Sequence, residues 1–159
     1  MLFLKIILIL LFGCILYEDL KYRAVHWFLF PLVGVCIGLL FFLNTLPELF
    51  LVSVLNNLVF ISILFGVIFL YAQLKLKTGI GQVIGLGDIL LIMVLVFGCA
   101  TVSFIVLLTC AFIFALILHL FLSKKQKTVT VPLAGYISLF FGIAFIGSWA
   151  GLINSLYLI

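Results

Sequence analysis

The sequence predicts an all-α, polytopic membrane protein of about six transmembrane helices, with the N-terminus and C-terminus both outside. Three observations carry that expectation: an extreme apolar composition, apolar segments of spanning length, and a one-sided distribution of lysine and arginine. Of 159 residues, 69% are apolar and 8% are charged, and the mean hydropathy is +1.63. An ordinary soluble domain carries roughly 25% charged residues. Eight basic and four acidic side chains cannot cover a water-facing globule of this size, which excludes a cytosolic domain, a secreted disulfide scaffold and a disordered tail. A spanning helix takes about 20 apolar residues, so residues 1–159 read as a single transmembrane domain with no soluble domain beside it.

The segments follow in order. Leu2–Leu20 is the first and closes on the charged group Glu18 to Arg23; Val25–Leu43 is the second and ends before Asn44 to Glu48. Leu49–Leu74 is the third, ended by Lys75 to Thr78. Between Asp88 and Ser123 lie 34 residues without a charge. One helix of that length would run about 51 Å, against about 30 Å of hydrocarbon. Two spans, Ile80–Ala100 and Val102–Leu122, fit better, with a break at Gly98–Thr101 and the Gly85-Leu86-Gly87-Asp88 stretch inside the fourth span. Val131–Leu158 is the sixth. Gly34-x-x-x-Gly38 and Gly147-x-x-x-Gly151 have the spacing of close helix packing in lipid, and Pro132 and Gly135 loosen the first turn of the last span.

With six spans, the first, third and fifth connections share one side. They hold Lys21, Arg23, Lys75, Lys77, Lys124, Lys125 and Lys127, seven of the eight basic residues; only Lys5 lies opposite. The positive-inside rule puts those connections in the cytoplasm. A single helix over residues 80–122 would split the two largest basic clusters between faces. A lipoprotein-like signal ending at Leu11-Phe12-Gly13-Cys14 is the rival for the N-terminus, but it has one lysine and would leave residues 18–23 outside.

The acids are few: Glu18, Asp19, Glu48 and Asp88. Asp19 sits at the cytoplasmic end of the first span and Asp88 a short way into the fourth from the same face. A carboxylate in hydrocarbon costs about 2.5–3.5 kcal/mol on insertion scales and marks a functional site by default. Two that meet cannot both stay ionised comfortably and share a proton. One then takes a proton from water while the other holds a carbonyl oxygen, the chemistry of aspartic proteases. Gly85 and Gly87 leave room beside Asp88 for an extended substrate backbone. The blander readings are that Asp88 caps the N-terminus of the fourth helix, favoured by the dipole, and that Asp19 pairs with Lys21 or Arg23. Lys21 and Arg23 are topology anchors first and candidates for orienting substrate second.

Asp19-Leu20-Lys21-Tyr22-Arg23-Ala24-Val25 resembles the first aspartate motif of the type IV prepilin peptidases, and Gly85-Leu86-Gly87-Asp88 resembles their G-x-G-D motif. The separation of 69 residues and the six-span layout also suit that family and the archaeal preflagellin peptidases. Val131-Pro132-Leu133-Ala134-Gly135 is similar to a proline-glycine stretch in the family's last span. The resemblance implies an intramembrane aspartic endopeptidase of the prokaryotic inner membrane, cutting a short basic leader from pilin-like precursors at the cytoplasmic face. Asp19 and Asp88 become the catalytic pair and Gly85 and Gly87 the substrate-shaping residues. The chain departs from the family where Val25-His26-Trp27 replaces Ile-Pro-Asn and where Leu90 replaces a lysine. It lacks the paired C-x-x-C motifs of the longer members, which implies peptidase activity without methylation.

Two rivals remain. Tyr17-Glu18-Asp19 with the G-x-G-D stretch loosely resembles presenilin-like and signal-peptide-peptidase-like proteases, which have more spans. A non-enzymatic carrier or assembly subunit would use the acids for proton or cation passage, yet no acid lies in spans two, five or six. No metal or cofactor is expected: Cys14, Cys36, Cys99 and Cys110 form no pair, His26 and His119 stand alone, and no phosphate loop follows Gly79 and Gly81. No stretch is basic enough for nucleic acid. The partners expected are the lipid bilayer and the precursor substrates.

Overall fold

The computed structural model describes residues 1–76, 85–122, 131–152 and 156–157. Six α-helices make up most of them, and there is no strand among the described residues. They are α1 (Leu2–Tyr22), α2 (Leu29–Asn44), α3 (Pro47–Tyr71), α4 (Leu86–Leu95), α5 (Thr101–Leu122) and α6 (Leu133–Trp149). A π-helical turn, Ala72–Leu76, continues α3. Pro47 occupies the first turn of α3, where its missing N–H is no loss. The stretches 47–75 and 101–122 are long and apolar enough to cross a membrane, and only 17% of each apolar window is buried. Leu51, Leu55 and Ile63 on α3 and Val106 and Leu116 on α5 stand exposed. Soluble proteins rarely carry apolar faces this extensive.

The elements differ from the expected segments chiefly in four places, the end of α4 among them. The second helix starts at Leu29, not Val25, because residues 24–28 form a connector. The expected start of the fourth span at Ile80 lies outside the described residues, as do Lys77, Gly79, Gly81, Lys124, Lys125 and Lys127. The described helix begins at Leu86, with Gly85 as its extended N-cap. Gly-x-Gly-Asp therefore opens the helix and does not lie within it. The sixth helix ends at Trp149, well short of Leu158, because Gly151 adopts φ 75°. Leu152 N–H bonds to the Gly147 carbonyl at 2.9 Å and Gly151 N–H to that of Ser148 at 3.2 Å, the paired closure of a Schellman cap. Gly151 thus reverses the chain; nothing lies within 4 Å of where its Cβ would be. Beyond Gly151, Tyr157 stacks on Phe41 at 5.6 Å and the Leu156 carbonyl accepts Ala100 N–H at 3.1 Å.

The break expected at Gly98–Thr101 is present but starts earlier: the chain leaves α4 after Leu95, five residues short of the expected end at Ala100, and re-enters helix at Thr101. Ten residues give α4 about 15 Å. The freed backbone is met by Asn57 of α3, fully buried, whose Nδ2 donates to the carbonyls of Val96 and Cys99, both at 3.0 Å. Gly34 and Gly38 seat α4 on α2: a Cβ at Gly34 would fall 2.8 Å from Val94 Cγ1, and one at Gly38 3.6 Å from Phe97. Asn57→Leu would leave two buried carbonyls unpaired, at about 1–3 kcal/mol for each such group. The expected outcome is a clear loss of thermal stability in detergent, whereas Ser62→Ala, whose hydroxyl bonds only its own helix at Leu58, changes little.

Helix α1 packs most extensively on α6, antiparallel and in a seven-residue register. Lys5 Nζ lies 5.0 Å from the Trp149 ring, Phe12 lies 3.8 Å from where a Gly142 Cβ would stand, and Asp19 meets Gly135. Each step is seven residues on both helices, in opposite directions. The buried stripe of α1 is Leu8, Phe12, Ile15 and Asp19, so Asp19 occupies the next core position after three apolar residues.

Candidate active site

Three helix ends converge on the acids: the C-terminal end of α1, and the N-termini of α4 and α6. The first amides of a helix have no partner within it. In α6, Pro132 has no N–H, Leu133 N–H bonds to Val131, and Tyr136 N–H bonds to Pro132. That leaves Ala134 and Gly135, and both face carboxyl groups. Gly135 N–H donates to Asp19 Oδ2 at 2.6 Å. The Ala134 and Gly85 amides lie close to the Asp88 carboxyl, which is also near enough to Asp19 for the two charges to interact. Consecutive amides thus face the two acids, the second of them hydrogen-bonded to Asp19, at the positive end of the helix dipole.

Glycine makes this fit. A Cβ on Gly135 would stand 3.1 Å from Asp19 Oδ2 and 3.3 Å from Asp19 Cβ, and one on Gly85 would stand 3.0 Å from Asp88 Oδ2. In both places the carboxyl occupies the volume a side chain would need. Asp19 is 8% exposed, whereas Asp88 is half-buried, so any approach to the pair comes on the Asp88 side.

Arg23 ends α1 in the left-handed conformation, φ 56°, with its amide on the Asp19 carbonyl at 3.2 Å. Its charge is felt at Asp19. Gly87 sits against α2, where its Cβ would touch Phe30 at 3.6 Å, and it shapes the seat of α4 more than the acid pair. Lys21 is not brought to the site. It is two residues, roughly 200°, around the helix from Asp19, and its Nζ bonds Tyr17 Oη at 2.7 Å beside the Tyr22 ring. Glu18 is also engaged elsewhere: its carboxyl accepts His26 N–H at 2.9 Å and contacts His26 Nδ1 at 2.8 Å. That pair closes the connector between α1 and α2. Asp88 stands in the first turn of α4, where the dipole favours it, but it is not the cap: Gly85 is the N-cap and no side chain bonds the helix end.

The amides of Ala134 and Gly135 and the side chain of Asn57 are the contributors that sequence reasoning missed. The proline-glycine stretch was visible, but not that its two amides point at carboxyls 116 residues away for Asp19. For Asn57 the available signal was an asparagine on the same helical face as Ser53 and Ile61, the other buried residues of α3. No protein-family model, no curated protein and no solved structure matches the chain.

Proposed function

We propose that the chain is an intramembrane aspartic endopeptidase of the prepilin-peptidase type, a multi-pass protein of the prokaryotic plasma membrane with six spans and both termini outside. The observation that carries the reading is the pair of acids, Asp19 and Asp88, brought near each other at one helix N-terminus, where the Gly135 amide holds Asp19. In the proposed reaction one carboxylate takes a proton from water as the water oxygen adds to the scissile carbonyl carbon. The other, protonated, donates to the carbonyl oxygen. Collapse of the adduct breaks the C–N bond, and the departing amine takes a proton from the pair. The half-open side of Asp88, with Gly85 at its edge, is where an extended peptide would enter.

The membrane setting is supported by the exposed apolar faces of α3 and α5. The cytoplasmic placement is supported by Lys21 and Arg23, which stand at the same end of the bundle as the acids. Substrates would be pilin-like precursors, their own hydrophobic helix lying in the bilayer and the basic leader below it. Co-expression with pilin-like precursors tests the reading. The expected result is a precursor shortened by its leader, seen as a small mass loss with a new N-terminus directly before the hydrophobic helix. Precursors that stay full-length in the presence of well-inserted protein would count against it.

A further inference from the structure

Asn56 and Asn57 are neighbours with opposite orientations. Asn57 is buried and bonded to the carbonyls that follow α4; Asn56 is exposed on the outer face of α3, and its side chain makes no hydrogen bond among the described residues. It lies eight residues past Glu48, about 12 Å along the helix axis. That is close to the middle of a hydrocarbon layer about 30 Å thick, where lipid offers an amide no partner. This inference rests on the membrane half of the proposal above and is independent of the catalytic half.

The surroundings of Asn56 say what meets it. Leu49, Val52, Val59, Ile63 and Leu70 are 40–63% exposed, and Gly66 is exposed as well. With Asn56 they follow one another at alternating steps of three and four, the period of a left-handed helix pair. The helix is slim along this line, and Gly66 permits close approach. A carboxamide is both donor and acceptor, so it is satisfied by an identical group at the same depth. Two copies of one chain in one membrane share orientation, and a two-fold axis along the membrane normal sets their α3 helices parallel with the two Asn56 side chains facing each other. A single asparagine in such a seam fixes register and a two-stranded state.

We propose that the outer face of α3 is a homodimer interface, with Asn56 bonded to its counterpart in a second copy. The test uses the full chain in liposomes, with the four native cysteines replaced. Cysteine substitutions at Val52 and Val59 on the seam are expected to cross-link between copies under oxidation, whereas those at Leu51 and Leu55, exposed but off the seam, are not. In parallel, energy transfer between labelled copies is followed as lipid is added. Asn56→Leu is expected to weaken dimerisation about 3- to 30-fold, the range of interhelical polar contacts in membranes, and Asn56→Gln to retain most of it. Equal cross-linking on and off the seam, or an unchanged dimer in Asn56→Leu, would overturn the proposal. So would a wild type that is monomeric at every dilution, which would assign Asn56 to an unlike partner. Protein released from the membrane by alkaline washing would instead defeat the membrane reading itself, a separate outcome.

Discussion

Asp19→Asn and Asp88→Asn are each expected to lower leader removal by about ten-thousand-fold or more, to no detectable product, while the protein stays in the membrane at wild-type level. General acid–base catalysis by one positioned group contributes roughly 10²–10⁴. Here each substitution removes both roles at once, because a proton shared by two acids cannot be shared by an acid and an amide. The fold should tolerate the change. An asparagine at 19 keeps an oxygen for Gly135 N–H, whose bond to Asp19 Oδ2 is 2.6 Å, and one at 88 has the same shape as the aspartate beside the Ala134 amide. The Asp19→Asn/Asp88→Asn double variant is expected to be no worse than either single variant, as for residues that act as a unit. The measurement is precursor processing over time, with membrane abundance alongside it. Complete processing by either single variant would end the catalytic assignment.

What the sequence makes legible here is what composition and charge control. The all-helical class, the break near Gly98 and the glycine seat of α2 on α4 follow from local properties: apolar length, helix-breaking residues and small-residue spacing. The acids were visible because carboxylates are so costly in an apolar chain that four of them are conspicuous. Less legible were the ends of helices. The last helix stops at Trp149 because Gly151 turns the chain, and Leu156 and Tyr157 beyond it lie buried against the bundle, although by hydropathy they are indistinguishable from more helix. The same limit applied to Lys21 and Arg23, which look equivalent on paper. A helix separates them by two positions, so that Lys21 faces outward with Tyr17 while Arg23 caps the end below Asp19. Backbone donors carry no signature in residue type, and so the amides of Ala134 and Gly135 could be recognised only once the helix end was placed against the acids.

Those amides give the second large effect. Gly135→Ala is expected to cut turnover about 10- to 100-fold with little change in KM, since an ångström of misplacement at a reacting group can cost that much. The added Cβ would stand 3.1 Å from Asp19 Oδ2 and 3.3 Å from Asp19 Cβ, tighter than ordinary contact, and Leu16 Cδ1 at 3.5 Å leaves little room on the other side. Because α1 and α6 are locked by Phe12 and Gly142 one heptad away, the strain is relieved most cheaply by moving the carboxyl, which lengthens its bond to the Gly135 amide and separates it from Asp88. Gly142→Ala is the control. It lies on the same helix and in the same interface, but its Cβ would meet Phe12 at 3.8 Å, an ordinary distance. If crowding between α1 and α6 were all that mattered, the two variants would behave alike in both stability and turnover. The expected result is similar thermal stability and full activity for Gly142→Ala, against a loss in kcat confined to Gly135→Ala. Wild-type kcat in Gly135→Ala would mean that the amide does not hold Asp19 in its working position, and the α6 N-terminus would lose its part in the site even if both aspartates kept theirs.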